Sequence, residues 1–177
     1  MTDWFVLFVR TGAEGHIVTL LKELLNADAY MPFIPMKEVP HRENKNILKV
    51  KKTCFPGYVF VSSAKGVDDF IRNVVPVALN IREVYCFLCY GEDKKDIVMR
   101  EHERKGLEAL MNSGFCIESS IGYMEGDRIR IVEGALLGKE SLITYVDKRQ
   151  RRVGVEIDIM GDVRKISLML ECIEKIY

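Results

Sequence analysis

The sequence has no excess of charge of either sign. Its 26 lysines and arginines balance its 26 aspartates and glutamates, so a nucleic-acid partner would need a local basic patch. No apolar run is long enough to span a membrane, and the N-terminus lacks the pattern of a secretory signal. Because 48% of the 177 residues are hydrophobic, the chain can bury the core of one medium domain or two small ones.

Cysteines are few and scattered along the chain. An odd number, five, without a secretory signal, indicates reduced thiols in the cytoplasm. Cys86 and Cys89 form a lone CxxC inside an apolar stretch that is typical of a strand, where positions three apart face opposite sides. No second Cys or His pair follows at the spacing of a zinc site. We therefore expect core thiols, with no metal and no cofactor.

Motifs that would indicate an enzyme are missing. The sequence has no P-loop, no G-x-S-x-G and no zinc-protease helix motif, since His102-Glu103 lacks the second histidine. His16, His41 and His102 lie far apart in the sequence and suggest no acid–base pair. The sequence therefore favours a protein that is not an enzyme.

Helices and strands alternate in the N-terminal part, which indicates an α+β domain. Apolar runs predict strands at 4–9 and 81–90. Helical spacing of apolar residues predicts helices at 13–25, 67–74 and, with many charges, 93–111. Two stretches are less regular: 31–40 carries three prolines and reads as irregular or an edge strand, and 41–52 is polar and basic, as in a hairpin tip or mobile loop.

The segment Phe55-Pro56-Gly57-Tyr58-Val59-Phe60-Val61 is the most informative in the chain. Pro-Gly predicts a turn, and the alternating residues after it predict a strand. Tyr58 and Phe60 then share one face, while Val59 and Val61 share the other. Both faces are apolar, so one face is core and the other is either core or a binding surface.

The C-terminal part changes character. Residues 112–122 are rich in serine and glycine and predict a linker. After them, glycines punctuate short strands at 128–132, 141–146, 153–159 and 164–170, a pattern that suggests a small β-barrel.

These features together resemble the NusG/Spt5 family of transcription elongation factors. The resemblance rests on Trp4-Phe5-Val6-Leu7, Gly12-x-Glu14, Ile34-Pro35 and the Phe55–Val61 segment, then on a KOW-like motif at 126–131 with Gly134 and Gly138. It implies an NGN domain at 1–111 (an antiparallel sheet flanked by helices), a linker at 112–122, and an SH3-like KOW barrel at 123–177. The charged segment 93–111 and the basic loop of the KOW motif are most similar to the LoaP antitermination paralogues. Two departures are Val75-Pro76-Val77, where the family often has Pro-Gly-Val, and the lack of a third glycine near Ser141.

The resemblance implies a cytoplasmic monomer that binds RNA polymerase. Phe8, Tyr58 and Phe60 match the positions that grip the clamp helices of the largest polymerase subunit. Such binding would suppress pausing and termination. Without the resemblance, ordinary core aromatics would be the preferred interpretation.

A basic cluster in the tail suggests a second partner. Lys148, Arg149, Arg151 and Arg152 fall between two predicted strands, and Arg164 and Lys165 open the next strand. The four cations at 148–152 repel one another unless an anion neutralises them, and Arg164 and Lys165 are candidates to lie near them. LoaP-like proteins bind an RNA hairpin in a leader transcript, so we place the predicted RNA contact at these residues.

Three further groups of residues are weaker candidates. Arg10 and His16 match positions where related factors touch exposed DNA. Arg42, Lys49, Lys51 and Lys52, with Lys37, His41 and Lys45, form a second basic segment. Ile159 and Met160 match a loop that binds ribosomal protein S10, and Rho is another candidate partner. A solvated surface is the preferred interpretation of the first two groups, and a plain hairpin turn explains the third equally well.

Two alternatives within the family remain open. One is a housekeeping elongation factor without specific RNA binding. The other is a paralogue that reads non-template DNA and has a KOW domain that switches fold, although the β-branched tail favours a stable barrel.

Overall fold

The computed structural model describes residues 2–44, 46–91 and 95–173, so Lys45 and the start of the predicted helix 93–111 lie outside the described residues. The strands are, in chain order, β1 (Asp3–Val9), β2 (Tyr30–Phe33), β3 (Met36–Glu43), β4 (Asn46–Thr53), β5 (Tyr58–Ser63), β6 (Val84–Phe87), β7 (Cys116–Ile117), β8 (Ser120–Glu125), β9 (Arg128–Glu133), β10 (Ile143–Asp147), β11 (Arg152–Ile159) and β12 (Asp162–Cys172). The helices are α1 (Glu14–Leu24), α2 (Val67–Asn73), α3 (Val75–Leu79) and α4 (Glu101–Glu108), with a short 3-10 helix at Glu140–Leu142. This content confirms the predicted α+β class. No helix in the described part of the chain is long and apolar enough to cross a membrane.

The chain divides into two compact units. The first unit comprises Met1–Pro35 and Phe55–Arg104, and the second comprises Met36–Cys54 and Lys105–Tyr177. The second unit therefore draws its residues from two separate stretches of sequence. The domain boundaries 1–111, 112–122 and 123–177 stay a prediction, although the predicted linker contains β7 and the first residues of β8.

The first unit is built on an antiparallel sheet with the strand order β2-β5-β1-β6. The central pair, β1 and β5, is in register with Phe8 opposite Tyr58. Alternation along β1 and β5 directs Phe5, Leu7, Val59 and Val61 into a core that also contains apolar residues of α1, α2 and α3. This arrangement confirms the strands and helices predicted at 4–9, 13–25, 58–61 and 67–74.

The predicted charged helix is much shorter than expected, since α4 covers only Glu101–Glu108. The preceding backbone is bonded elsewhere: Tyr90 N–H donates to the Asp96 carbonyl, and Met99 N–H donates to the Trp4 carbonyl, both at 2.8 Å. These tertiary bonds hold the residues before α4 outside a helix. The departure at Val75-Pro76-Val77 is accommodated in α3, which has a proline in its first turn.

The second unit contains two sheets. One has the strand order β10-β11-β12-β8-β9, and the other has the order β4-β3-β7. β12 pairs antiparallel with β11 and parallel with β8, while β3 pairs parallel with β7. The predicted tail strands are thus confirmed, whereas closure into an SH3-like barrel stays a prediction. Residues 41–43 and 46–52 belong to the strands of the β3–β4 hairpin, which resolves the choice between hairpin and mobile loop.

Side-chain bonds tie the β3–β4 hairpin to the other strands of the second unit. Lys49 Nζ donates to Ser119 Oγ at 2.7 Å and lies 3.3 Å from a carboxylate oxygen of Glu171 on β12. The Glu38 carboxylate accepts the Ser119 N–H at 2.8 Å. These bonds explain why the hairpin belongs to the same unit as the C-terminal strands.

Candidate functional site

A buried carboxylate organises the turn before β5. The two oxygens of Glu14 accept the backbone N–H groups of Gly12 and Gly57, each at 2.7 Å. Gly57 has a φ of 86°, a conformation that suits glycine. The Gly12-x-Glu14 motif and the Pro-Gly turn therefore meet in space, and the turn sets Tyr58 beside Phe8.

Three aromatic rings form what we call the aromatic surface: Phe8, Tyr58 and Tyr85. Phe8 is 40% exposed and Tyr85 is 56% exposed. The Phe8 ring centroid lies 5.8 Å from that of Tyr58 and 5.4 Å from that of Tyr85. Sequence reasoning missed Tyr85, because its position beside Phe8 depends on the pairing of β6 with β1.

Phe60 does not reach this surface. It is fully buried, with its ring centroid 6.3 Å from that of Trp4, 5.6 Å from Phe33 and 6.0 Å from Phe55. Its contacts are those of a core aromatic that packs beneath the sheet, so it does not line a groove in this structure.

Arg10 and His16 are both exposed in the first unit. Arg10 Nη2 lies 3.7 Å from a carboxylate oxygen of Glu83, and an exposed pair of this kind contributes little to stability. Both side chains therefore remain accessible to a charged partner.

The predicted arginine loop (148–152) lies at a hairpin tip, as expected. It joins β10 to β11, and the Gln150 N–H donates to Asp147 Oδ1 at 2.9 Å. Arg151 has a φ of 54°, so the turn is tight. Lys148, Arg149 and Arg151 are exposed, and Arg152 is half-buried at the start of β11.

The arginine loop and the β3–β4 hairpin, two basic segments that are far apart in sequence, meet in the second unit. Arg42 and Ile47 of the hairpin line a cavity of about 350 Å³ together with residues 149–152 of the loop. Arg42 and Lys51 are exposed, and so is Lys49 despite its bonds to Ser119 and Glu171. The structure thus unites Arg42 with the arginine loop.

Arg164 and Lys165 lie elsewhere. They pair with Ile157 and Glu156, five and four register positions along β11 from Arg152, or about 13–16 Å at the rise of a strand. Each is paired with a carboxylate. Arg164 Nη2 lies 3.0 Å from Asp162 Oδ2, and Lys165 Nζ lies 3.4 Å from Glu156 Oε1. The expectation that they lie near the arginine loop is wrong in this structure.

Ile159 and Met160, the residues matched to an S10-binding loop, are both buried. Met160 has a φ of 54° at the tip of the β11–β12 hairpin. Their side chains pack inside the second unit and offer little surface to a partner.

The cysteines differ in their surroundings. Cys86 is exposed and Cys89 is half-buried, so the prediction that both are core thiols is wrong. Burial raises the pKa of the Cys54 thiol to about 12, while the charge of Lys37 acts in the opposite direction. No group of His, Cys, Asp or Glu residues that could hold a metal occurs among residues 2–44, 46–91 and 95–173.

Comparisons with known proteins agree with this architecture. The family model described as "Transcription termination factor nusG" matches residues 2–108. The chain is 23% identical to the transcription termination/antitermination protein NusG of Helicobacter pylori strain J99, over 99% of each chain. It is 24% identical to the protein of that name from Borreliella burgdorferi, over 98% of each chain. A solved structure titled "Domain interaction in Thermotoga maritima NusG" superposes with a TM-score of 0.51 at 16% identity, covering 96% of this chain and 94% of that one. The family match spans more than half of the sequence, and the chain therefore belongs to the NusG family of transcription termination/antitermination factors.

Proposed function

We propose that this protein is an antitermination factor that docks on the clamp helices of RNA polymerase and is recruited by an RNA hairpin. The main support for this docking is the exposure of the aromatic surface. Large rings that remain exposed beside one another are typical of protein interfaces, where aromatics contribute most of the binding energy.

Docking would act by population shift. A factor that binds the closed, elongating polymerase better than the paused enzyme favours the closed state. A second contact to the emerging transcript raises the effective concentration of the factor near the polymerase. Pausing and termination then become less frequent.

The docking is tested by a polymerase pull-down with the variant Phe8→Ala/Tyr85→Ala. We expect at least about a tenfold loss of affinity, since removing two interface aromatics costs well over 1.4 kcal/mol. Leu24→Ala is the matched control, because Leu24 is an equally exposed apolar residue (58%) on α1 of the same unit. Equal affinity of the double variant and this control would contradict the aromatic surface as the docking site.

The RNA contact is proposed for the cavity between the β3–β4 hairpin and the arginine loop. Arg42, Arg149 and Arg151 are exposed around it, and arginine suits both phosphates and guanine edges. The surface is local, so it is compatible with the zero net charge of the chain.

The variant Arg42→Ala/Arg149→Ala/Arg151→Ala should bind a leader-RNA hairpin more weakly and with a flatter salt dependence. RNA copies of leaders near the protein's own gene are the first probes. Arg164→Ala/Lys165→Ala is the control, since these cations are already paired with carboxylates. If the triple variant retains full affinity and salt dependence, the arginine loop is not the RNA contact.

A general NusG-type factor without specific RNA binding is the second candidate. The names of the curated relatives favour it, because they describe termination/antitermination proteins without a specific target. Affinity for one hairpin over a non-cognate hairpin distinguishes the two proposals. Equal, weak affinity for both would favour the general factor.

Recruitment by non-template DNA through Arg10 and His16 is a weaker variant of the proposal. Both side chains are accessible, but Arg10 is already near Glu83. Contact with S10 through Ile159 and Met160 would require these buried side chains to become exposed.

A further inference from the structure

A second, smaller basic cavity lies next to the arginine loop within the second unit. Its volume is about 200 Å³, and its polar lining comes from Lys37 on β3, Lys52 on β4, Arg152 on β11 and Ser167 on β12. At about 30 Å³ per water molecule in the liquid, this volume holds a small polyatomic anion and some water.

The positive charges around this cavity lie close together. Lys37 and Lys52 are directly opposite each other in the β3–β4 register, and like charges in that position destabilise a strand pair. No carboxylate belongs to the described residues that line the cavity. The pKa of Lys37 is lowered, first by burial and also by Arg152 and Lys52, with Cys54 acting in the opposite direction.

Two residues that line this cavity each carry a buried polar atom without a hydrogen-bond partner. These atoms are Arg152 Nε and Ser167 Oγ, and neither is bonded to any part of the chain that the structure describes. A buried donor left unsatisfied costs about 1–3 kcal/mol, so such groups usually mark a missing partner. The missing partner must be an acceptor, because a guanidinium nitrogen only donates.

We infer that this cavity is a phosphate-binding site. A phosphate carries negative charge that would offset the repulsion between Lys37 and Lys52, and it has enough oxygens to accept from donors on several strands at once. The phosphate comes either from an RNA backbone or from a free phosphate ion. The inference does not depend on the proposed RNA contact, since Arg42, Arg149 and Arg151 lie outside this lining.

The test compares the full-length chain with the variant Lys37→Gln/Lys52→Gln in thermal unfolding. A ligand that binds only the folded state raises the melting temperature, so inorganic phosphate should stabilise the wild-type chain relative to chloride at equal ionic strength. The double variant should lose this increment. In chloride it should melt at the same temperature or higher, because the repulsion between the two opposed lysines has been removed. A purely structural role of the lysines would instead lower its melting temperature in chloride.

Lys22→Gln/Lys65→Gln is the matched control: it also removes two positive charges, at exposed positions outside the cavity. It should keep the phosphate-dependent increment, and so should Arg42→Ala/Arg149→Ala/Arg151→Ala. Persistence of the increment in that triple variant, together with unchanged RNA affinity, would overturn the RNA contact while leaving the phosphate site in place.

A generic RNA stem-loop distinguishes the two sources of phosphate. If the site takes a backbone phosphate, Lys37→Gln/Lys52→Gln should reduce the salt slope of stem-loop binding by about one to two units relative to the control. If it takes a free ion, only the response to inorganic phosphate changes. The inference is overturned if the double variant and the control behave alike in both measurements.

Discussion

Glu14 illustrates how one side chain fixes a local geometry. Its carboxylate accepts N–H groups from two glycines that are 45 positions apart in sequence, Gly12 and Gly57. Since Glu14 is only 6% exposed, water cannot easily replace it as the acceptor for these groups. The turn that precedes Tyr58 thus depends on a residue of α1.

Glu14→Ala should lower the free energy of unfolding by about 2–3 kcal/mol, because it leaves two backbone donors without their charged acceptor. Urea denaturation measures this loss. Glu23→Ala, on the exposed side of the same helix, should change stability by less than about 0.5 kcal/mol. Similar losses for the two variants would show that the carboxylate does not hold the turn.

The cysteine thiols should differ in reactivity, because their exposure differs. Cys86 is exposed, whereas Cys54 is buried and its pKa is raised to about 12. Iodoacetamide reacts with thiolates, so at pH 8 it should modify Cys86 in the folded protein and spare Cys54. Mass spectrometry of tryptic peptides measures which cysteine is modified first. Unfolding the protein in urea should abolish the protection of Cys54. Early modification of Cys54 in the native protein would contradict its burial.

Strand periodicity predicted which side chains share a face, but not how deep each one lies. Tyr58 and Phe60 alternate with Val59 and Val61 as expected, yet Phe60 is buried and Tyr58 is half-exposed. Depth depends on Trp4, Phe33 and Phe55, which surround Phe60. Those contacts join separate segments, and no local pattern records them.

At the scale of elements, segments with a clear period were predicted well and segments defined by distant partners were not. α1 and β1 match their apolar patterns closely. The predicted linker includes the first residues of β8, because their serine and glycine give no period and the pairing of β8 with β9 and β12 decides its conformation. The sequence predicts a hairpin tip or a mobile loop at 41–52, but the contact of the β3–β4 hairpin with the arginine loop depends on tertiary structure alone.

Gly134, directly after β9, should not tolerate a side chain. A Cβ there would lie 2.3 Å from the Ser119 carbonyl oxygen and 2.6 Å from Ser120 Cα, and the residue has a φ of 98°. Gly134→Ala should therefore destabilise the protein by about 3 kcal/mol or more in urea denaturation. Gly138→Ala is the control: it also has positive φ, but its Cβ would enter open space, so a loss of about 1 kcal/mol is expected. Equal losses of stability in the two variants would contradict the prediction that crowding against Ser119 and Ser120 makes Gly134 special.

At the scale of the whole molecule, the two proposed contacts belong to different units. The aromatic surface lies in the first unit, and the arginine loop with Arg42 lies in the second. Residues without shared neighbours usually contribute independently to binding. We therefore expect the proposed polymerase contact and the proposed RNA contact to be separable by mutation.

Phe8→Ala/Tyr85→Ala should weaken polymerase binding while changing hairpin affinity by less than about twofold. Arg42→Ala/Arg149→Ala/Arg151→Ala should show the reverse, and either variant should reduce readthrough in a terminator reporter. Pull-downs and RNA titrations of the same purified proteins provide the comparison. Loss of both interactions from either variant would contradict separable contacts.

The discontinuous second unit has a consequence for synthesis. The β3–β4 hairpin leaves the ribosome early, but its parallel partner β7 and the strands that pack beside it are made much later. Pairing between such distant segments is slow, because a long loop must close before the contacts form. The nascent chain therefore carries a strand with an unpaired edge until β7 has been made. The lysines of this hairpin, which repel similar edges, would protect it from aggregation during that interval.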